Sequence, residues 1–329
     1  MATHPAANRA EALVRSLRDS RGFAHKRDID GVMPALREGA ASDVAMGDDC
    51  AAIPDADGYL LFAIEGFLNE FVEREPWFAG YCGVMVNVSD IYAMGGRPTA
   101  VVDALWSRGG PAADPIMQGL AAASRVYGVP IVGGHSNRRS DREQLSVAIV
   151  GRATRLLTSF DARPGQHLVA AIDLRGSFQE PYDYWNASVG APPERLRADL
   201  EILPTIAEDG LARAGKDISM AGIVGTALML LECSGVGAVI DVDRIPRPDG
   251  VGLERWLRAF PSYGFLLSVA DADLPAVLDR FGARGIACAA IGRTDDSRVV
   301  SLQRDGAVAE LWSFEHEAFI GCGPEGTAR

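Results

Sequence analysis

Five short segments carry residue types able to do chemistry. Gly47-Asp48-Asp49-Cys50-Ala51-Ala52 sets two carboxylates side by side. Adjacent carboxylates repel unless a cation lies near, and hard oxygen ligands of this kind suit Mg²⁺, which takes one or two carboxylates plus substrate phosphates. The same residues also fit a solvated acidic turn. Asn87-Val88-Ser89-Asp90 lies in a strongly apolar stretch that reads as a helix, where Asn, Ser and Asp are poor helix formers. Gly83, Asn87 and Asp90 fall at i, i+4 and i+7, on one face. A polar face on a buried helix is costly unless it lines a ligand site or closes on itself as a hydrogen-bond network. Gly133-Gly134-His135-Ser136-Asn137-Arg138 reads as a strand running out into a glycine turn. Glycines admit close approach of a ligand, and Arg138 or the adjoining Arg139 can pair with phosphate; an ordinary loop exit with surface arginines reads the same way. In Lys216-Asp217-Ile218-Ser219, Ser219 is placed to cap a following helix over 220–233, whose free N–H groups suit phosphate, with Asp217 near its positive end. His25-Lys26 sits in a polar segment, 21–28, read as a mobile loop able to close over a substrate and supply a charge or a proton.

Alternating elements must position these residues. Strands are expected over 59–65, 99–106, 129–132, 144–151, 167–172, 238–242, 264–270 and 287–292. Helices are expected over 8–20, 78–94, 114–127, 194–211, 220–233, 251–259 and 273–283. Strands alternating with helices give an α/β (α+β) class. The pattern breaks around 158–166 at Pro164-Gly165, which divides the chain into 1–160 and 161–329.

The bulk composition excludes several classes. A net charge of −12 argues against a nonspecific nucleic-acid binder. No 18-residue apolar run suggests a membrane span, and the first residues lack the basic start and apolar core of a signal peptide. The five cysteines form no Cys-x-x-Cys pair, which fits a reducing, cytoplasmic setting rather than a zinc site or a disulfide framework.

Taken in order, GDDCA, IEGF, NVSDIYAMGGRPTA, GGHSNR and KDISMAGIVGT resemble the aminoimidazole ribonucleotide synthase-related (AIR synthase-like) superfamily, over roughly residues 20 to 320. The resemblance implies two α/β domains: an N-terminal ATP- and Mg²⁺-binding domain whose mixed sheet builds a barrel in a homodimer, and a C-terminal α/β sandwich domain. It implies an ATP-dependent synthase, ligase or transferase that phosphorylates an amide, carboxylate or carbonyl oxygen of a small metabolite. A simple small-molecule kinase and a non-catalytic nucleotide-binding subunit of a partner enzyme are the alternatives. Carried over, Asp48, Asp49, Glu65 and Asp90 look like metal ligands. Asn87, Ser89, Gly133, Gly134, Arg138, Asp217 and Ser219 look like nucleotide contacts, and His25, Lys26 and His135 like catalytic groups. The chain departs from the pattern at Glu65, His135 and Met220, where members usually have Asp, an acidic residue and an acidic residue. It lacks a cysteine before Cys50, a Gly-Thr-Lys ending after Glu65, an acidic stretch at 263–267 and a terminal cysteine. Those features mark the selenophosphate synthase, aminoimidazole ribonucleotide synthase, thiamine-monophosphate kinase and hydrogenase-maturation branches, so the resemblance is to a divergent branch.

Overall fold

In a computed structural model, residues 5–38 and 42–324 are described. The first half runs α1 (Pro5–Arg18), α2 (Arg21–Arg37), β1 (Ala51–Asp55), β2 (Gly58–Gly66), α3 (Asn69–Arg74), α4 (Pro76–Ala93), β3 (Arg97–Trp106), α5 (Gly110–Tyr127), β4 (Ile131–Asn137) and β5 (Gln144–Ala153). The second runs β6 (His167–Ile172), β7 (Ser177–Phe178), β8 (Trp185–Asn186), α6 (Pro193–Leu200), α7 (Ile202–Glu208), β9 (Ala214–Asp217), α8 (Gly222–Ser234), β10 (Gly237–Asp241), α9 (Leu253–Leu257), β11 (Gly264–Val269), α10 (Leu274–Gly282), β12 (Ala287–Asp295), β13 (Val299–Arg304) and β14 (Ala307–Ser313). The α/β class holds.

The chain divides into two compact units. One, the five-stranded unit, comprises Asp49–Leu156 and Gly190–Glu208. The other, the seven-stranded unit, takes the residues through Asp48, then Leu157–Val189, and those from Asp209 onward. The crossing at Leu156/Leu157 lies beside the expected break. The opening helices, however, group with the second half of the chain, and α6 and α7 with the first.

The five-stranded sheet has the order β1-β2-β5-β3-β4, mixed because β3 and β4 are parallel while the other pairs are antiparallel. Helix α4 packs on β5, β2 and β3 on one side and on α5 on the other. It is therefore buried along nearly its whole length. Gly80 stands against the backbone of Ile116, and Gly119 against that of Trp77, so the two helices approach too closely for side chains at either position. The helix expected over 194–211 is two helices, because Pro204 in α7 has no N–H and its ring crowds the carbonyl four residues earlier.

The seven-stranded sheet has the order β14-β13-β10-β12-β6-β11-β9. Helix α1 lies on β13 and β14, burying Ala10, Leu13 and Leu17 at helical spacing. Helix α8 buries every residue from Gly222 to Cys233. The loop expected over 21–28 is instead the start of α2. Ser20 caps it by accepting the Phe23 N–H, and Phe23 is fully buried against Phe319, ring centroids 5.3 Å apart. Cap and burial together outweigh the weak periodicity of the segment.

Candidate active site

In the five-stranded unit, α4 brings its polar residues inward. Asn87 is fully buried, and its amide nitrogen donates to Gly83 O (2.8 Å) and Val147 O (3.1 Å). The amide nitrogen thus closes locally, while Asn87 Oδ1 and the buried Ser89 Oγ have no hydrogen-bond partner among the described residues. Asp90, one turn on, is 5% exposed. An oxygen of Asp90 and one of Asp49, the first residue of this unit, lie within 4.8 Å of one another. Ligand distances of about 2.1 Å set two oxygens of one Mg²⁺ about 3.0–4.2 Å apart, a spacing that lies inside this limit.

Glu65 stands on the α4 side of the sheet. It pairs with Val147, which pairs on its other edge with Asp103, which in turn pairs with Gly134. Side chains of one row share a face. The face is fixed by Val147, whose side chain meets Gly83 of α4. Asp103 is therefore a further carboxylate of the same surface, and sequence reasoning missed it. It is 8% exposed, its Oδ2 has no partner among the described residues, and burial pushes its carboxyl above the ordinary range. Gly134 makes the room: a β-carbon there would lie 2.6 Å from both Asp103 O and Oδ1. The signal in the sequence was an acid between Val101 and Leu105 in an otherwise apolar strand.

The Gly133-Gly134 segment is thus no turn but the interior of edge strand β4. One consequence concerns His135. It pairs with Ala104, one residue out of step with Asp103, and its ring lies 6.2 Å from that of Trp106. His135 faces away from α4, so within this unit it does not join Glu65 and Asp90. Arg138 lies beyond the strand end, its guanidinium against Gly110 at the start of α5 rather than beside Gly133.

In the seven-stranded unit, Asp48 is engaged by Ser159. Its Oδ2 accepts the Ser159 N–H (2.9 Å) and its Oδ1 the Ser159 hydroxyl (2.7 Å). The buried Lys216 ammonium stands 3.4 Å from the same hydroxyl. Asp48 anchors the acidic segment through these bonds, and the carboxylate oxygens that approach one another are those of Asp49 and Asp90, not of Asp48.

Asp217 ends β9 and is 2% exposed. Ser219 is not the cap of the next helix. Ala221 and Gly222 both take positive φ (81° and 64°), and α8 starts only at Gly222, with no side-chain cap bond. The Ser219 N–H instead donates to Thr226 Oγ1 (3.2 Å). The Gly222 N–H donates to Ser219 O (2.9 Å), so the turn before α8 closes its first N–H by backbone, with no side chain as cap. Gly22 of α2 packs on this turn, a β-carbon there falling 2.8 Å from Ala221 N and Cα. His25 and Lys26, half-buried on the same first turns of α2, are thereby carried beside the start of α8 on a helix rather than on a mobile loop.

Residues 47–153 match the N-terminal domain of AIR synthase related proteins, and residues 177–305 match the C-terminal domain. The chain belongs to the AIR synthase-related family. A protein of Synechocystis sp., uncharacterised, is 45% identical over 315 residues, 94% of this chain and 97% of the relative. An uncharacterised protein of Methanocaldococcus jannaschii is 32% identical over 284 residues, 85% and 87% of the two chains. Among solved structures, Thermotoga maritima PurL complexed with ATP superposes with a TM-score of 0.75 at 19% identity, covering 96% of this chain and 52% of that one. ThiL complexed with AMPPCP and TMP superposes at 0.64 and 20%, covering 86% and 96%. At these identities the likeness is of fold. No helix of the described residues is long and apolar enough to cross a membrane.

Proposed function

We propose that the chain is an ATP- and Mg²⁺-dependent enzyme that phosphorylates an amide, carboxylate or carbonyl oxygen of a small metabolite. The observation that carries this reading is the approach of Asp49 and Asp90 within 4.8 Å, two hard oxygen ligands of one unit close enough to share a cation. The relatives complexed with ATP and AMPPCP support it. Asp49 and Asp90 would hold Mg²⁺, with Glu65 on the same side of the sheet; the ion supplies charge neutralisation for a transferring phosphoryl group. In the seven-stranded unit, the start of α8 with Asp217 and Ser219 would contact phosphate, and His25 and Lys26 would supply charge or a proton there. Isothermal titration with Mg²⁺ and ATP tests the binding, and loss of binding in both Asp49→Asn and Asp90→Asn is the expected result. Wild-type affinity in both variants would sink the reading. Product mass then separates a kinase, whose product keeps the phosphate, from a synthase. ATP binding without ADP release across a substrate panel would instead identify a nucleotide-binding subunit.

The same reading includes a homodimer. The face of the five-stranded sheet away from α4 exposes Ile53, Phe62, Ile64 and Val102, with Ile64 66% exposed. A contiguous apolar sheet face of this kind is a surface for association. A charge on it, Ile64→Glu, should turn a dimeric wild type into a monomer by light scattering; a monomeric wild type would remove the dimer from the proposal, and a variant that stays dimeric would remove this face as its surface.

A further inference from the structure

Cys233 and Cys322 meet beside the acidic segment, and neither has a part in the site described above. Cys233 ends the last turn of α8, and Cys322 lies in the irregular segment after β14; both are buried, at 3% and 4% exposed. Their meeting is built in. The Glu232 carboxylate accepts three successive backbone N–H groups, from Phe319 (2.9 Å), Ile320 (2.7 Å) and Gly321 (3.2 Å), which fixes the segment carrying Cys322 against α8. On the other flank of Cys233, the Ser234 hydroxyl donates to Ser159 O (2.7 Å). Gly47 completes the arrangement. It has φ 119°, and a β-carbon there would lie 2.7 Å from Cys322 Sγ and 3.3 Å from Cys233 Sγ. The two sulfurs therefore bracket the one backbone position in the acidic segment that has no side chain. Cys233 Sγ also donates to Gly47 O at 3.7 Å.

We propose that Cys233 and Cys322 are a reversible redox pair whose disulfide, formed with a hydroperoxide, resets the segment Gly47-Asp48-Asp49. The chemistry balances in two steps. The Cys322 thiolate attacks the peroxide O–O bond, giving the sulfenic acid and releasing hydroxide or alkoxide, which takes up the thiol proton. Cys233 sulfur then attacks the Cys322 sulfur, closing the S–S bond and expelling water. Two thiols are oxidised and one peroxide is reduced. Cys322 is the attacking group: when it ionises, the single Cys233 S–H turns from Gly47 O to the Cys322 sulfur, and that hydrogen bond holds the Cys322 thiol below the ordinary range, aided by Arg37 and Lys216 and opposed by burial and Glu232, whereas Cys233 is raised. Peroxide reaches Cys322 by local opening of the irregular segment. Bonding moves both sulfurs and takes from Gly47 O its thiol donor. Asp49 lies two residues along the same chain, so a shift of that carbonyl large enough to loosen the Asp48–Ser159 anchor carries through to it.

The test uses the full chain, reduced and then treated with hydrogen peroxide. Peptide mass mapping should find a single cross-link between the fragments bearing residues 233 and 322, with loss of two hydrogens, reversed by dithiothreitol. Cys233→Ser and Cys322→Ser should each abolish it. Oxygen addition at Cys322 without a cross-link, or a link to Cys50, Cys82 or Cys288, overturns the pair. If neither variant folds, the wild-type map decides alone. A second readout rests on the assignment of Asp49 to Mg²⁺: the oxidised chain should bind Mg²⁺-ATP about tenfold more weakly than the reduced chain, the scale of losing a group that orients a metal ligand. Equal affinities with the cross-link present overturn the coupling. A reduced chain that binds no Mg²⁺-ATP counts against the proposed function, and the cross-link still stands or falls on the mass map.

Discussion

Asp90→Asn separates a metal ligand from a structural carboxylate, because the two roles predict opposite signs for the metal-free protein. Asp90 is 5% exposed, and one of its oxygens lies within 4.8 Å of an Asp49 oxygen. At an effective dielectric of about 20, two unit charges at that separation repel by about 3 kcal/mol. Asp49 is half-buried, and solvent screening brings the figure down to about 1–2 kcal/mol. Neutralising Asp90 removes this repulsion, so in chelator the variant should melt a few degrees above wild type. Adding Mg²⁺ with ATP should reverse the order. Wild type gains the bound-state stabilisation, whereas the variant loses about 3 kcal/mol of it, the scale of removing one partner from a buried charge pair, or about a hundredfold in Kd. Differential scanning fluorimetry with and without Mg²⁺-ATP, checked by titration calorimetry, reads both signs. A variant that melts below wild type in chelator and binds Mg²⁺-ATP with wild-type affinity would refute the reasoning and make Asp90 part of an internal network with Asn87.

Four further outcomes follow from the same geometry. Gly134→Ala should destabilise the protein by about 1–3 kcal/mol, since its methyl would strike Asp103, whereas Gly133→Ala, 4.0 Å from the nearest side-chain atom, should cost well under that; urea melts compare them. Burial holds the Asp103 carboxyl above its ordinary 3.8, so the native state binds that proton more tightly than the unfolded chain does. The resulting stability is complete below 3.8 and is lost as pH rises through the raised native value, so Asp103→Asn should match wild type in acid and exceed it at pH 8, as read by urea melts at both pH values. Ser159→Ala removes the hydroxyl that donates to Asp48 and should cost about 1–3 kcal/mol in thermal stability. Asp48→Asn should lose stability in the same range while weakening Mg²⁺ affinity less than Asp49→Asn does, and equal losses of affinity from the two would return Asp48 to the ligand set.

The sequence made the α4 face legible and left much of its surroundings opaque. Gly83, Asn87 and Asp90 recur at helical spacing inside an apolar run, and a 3.6-residue period is enough to put them on one face. Strand parity was harder. Reading 133–135 as a turn discarded the alternation of β4, and with it the information that His135 and Gly134 point to opposite faces. The same loss hid Asp103, since an acid at an inward strand position carries a signal only once the covered face of the sheet is known. The four residues of β9 are too few to show a period, and no local pattern could reveal that α1 and α2 belong with a sheet that begins after residue 166. That grouping is made by non-local burial, Leu13 and Leu17 against β13 and β14, and Phe23 against Phe319.

Asp48 and Asp49 gain most from the coordinates. Composition makes them equivalent, two acids in one turn. Their surroundings divide the work. Asp48 accepts both donors of Ser159 and fixes the chain there, in a unit that also places Cys233 and Cys322 around Gly47. Asp49, the next residue, begins the other unit and brings an oxygen to Asp90. A metal ligand is only as well placed as the backbone before it. On the proposed assignment of Asp49 to Mg²⁺, an anchored Asp48 and a glycine with no room for a side chain at 47 steady the backbone before the ligand, and Gly47 is the point at which the proposed redox change would reach it.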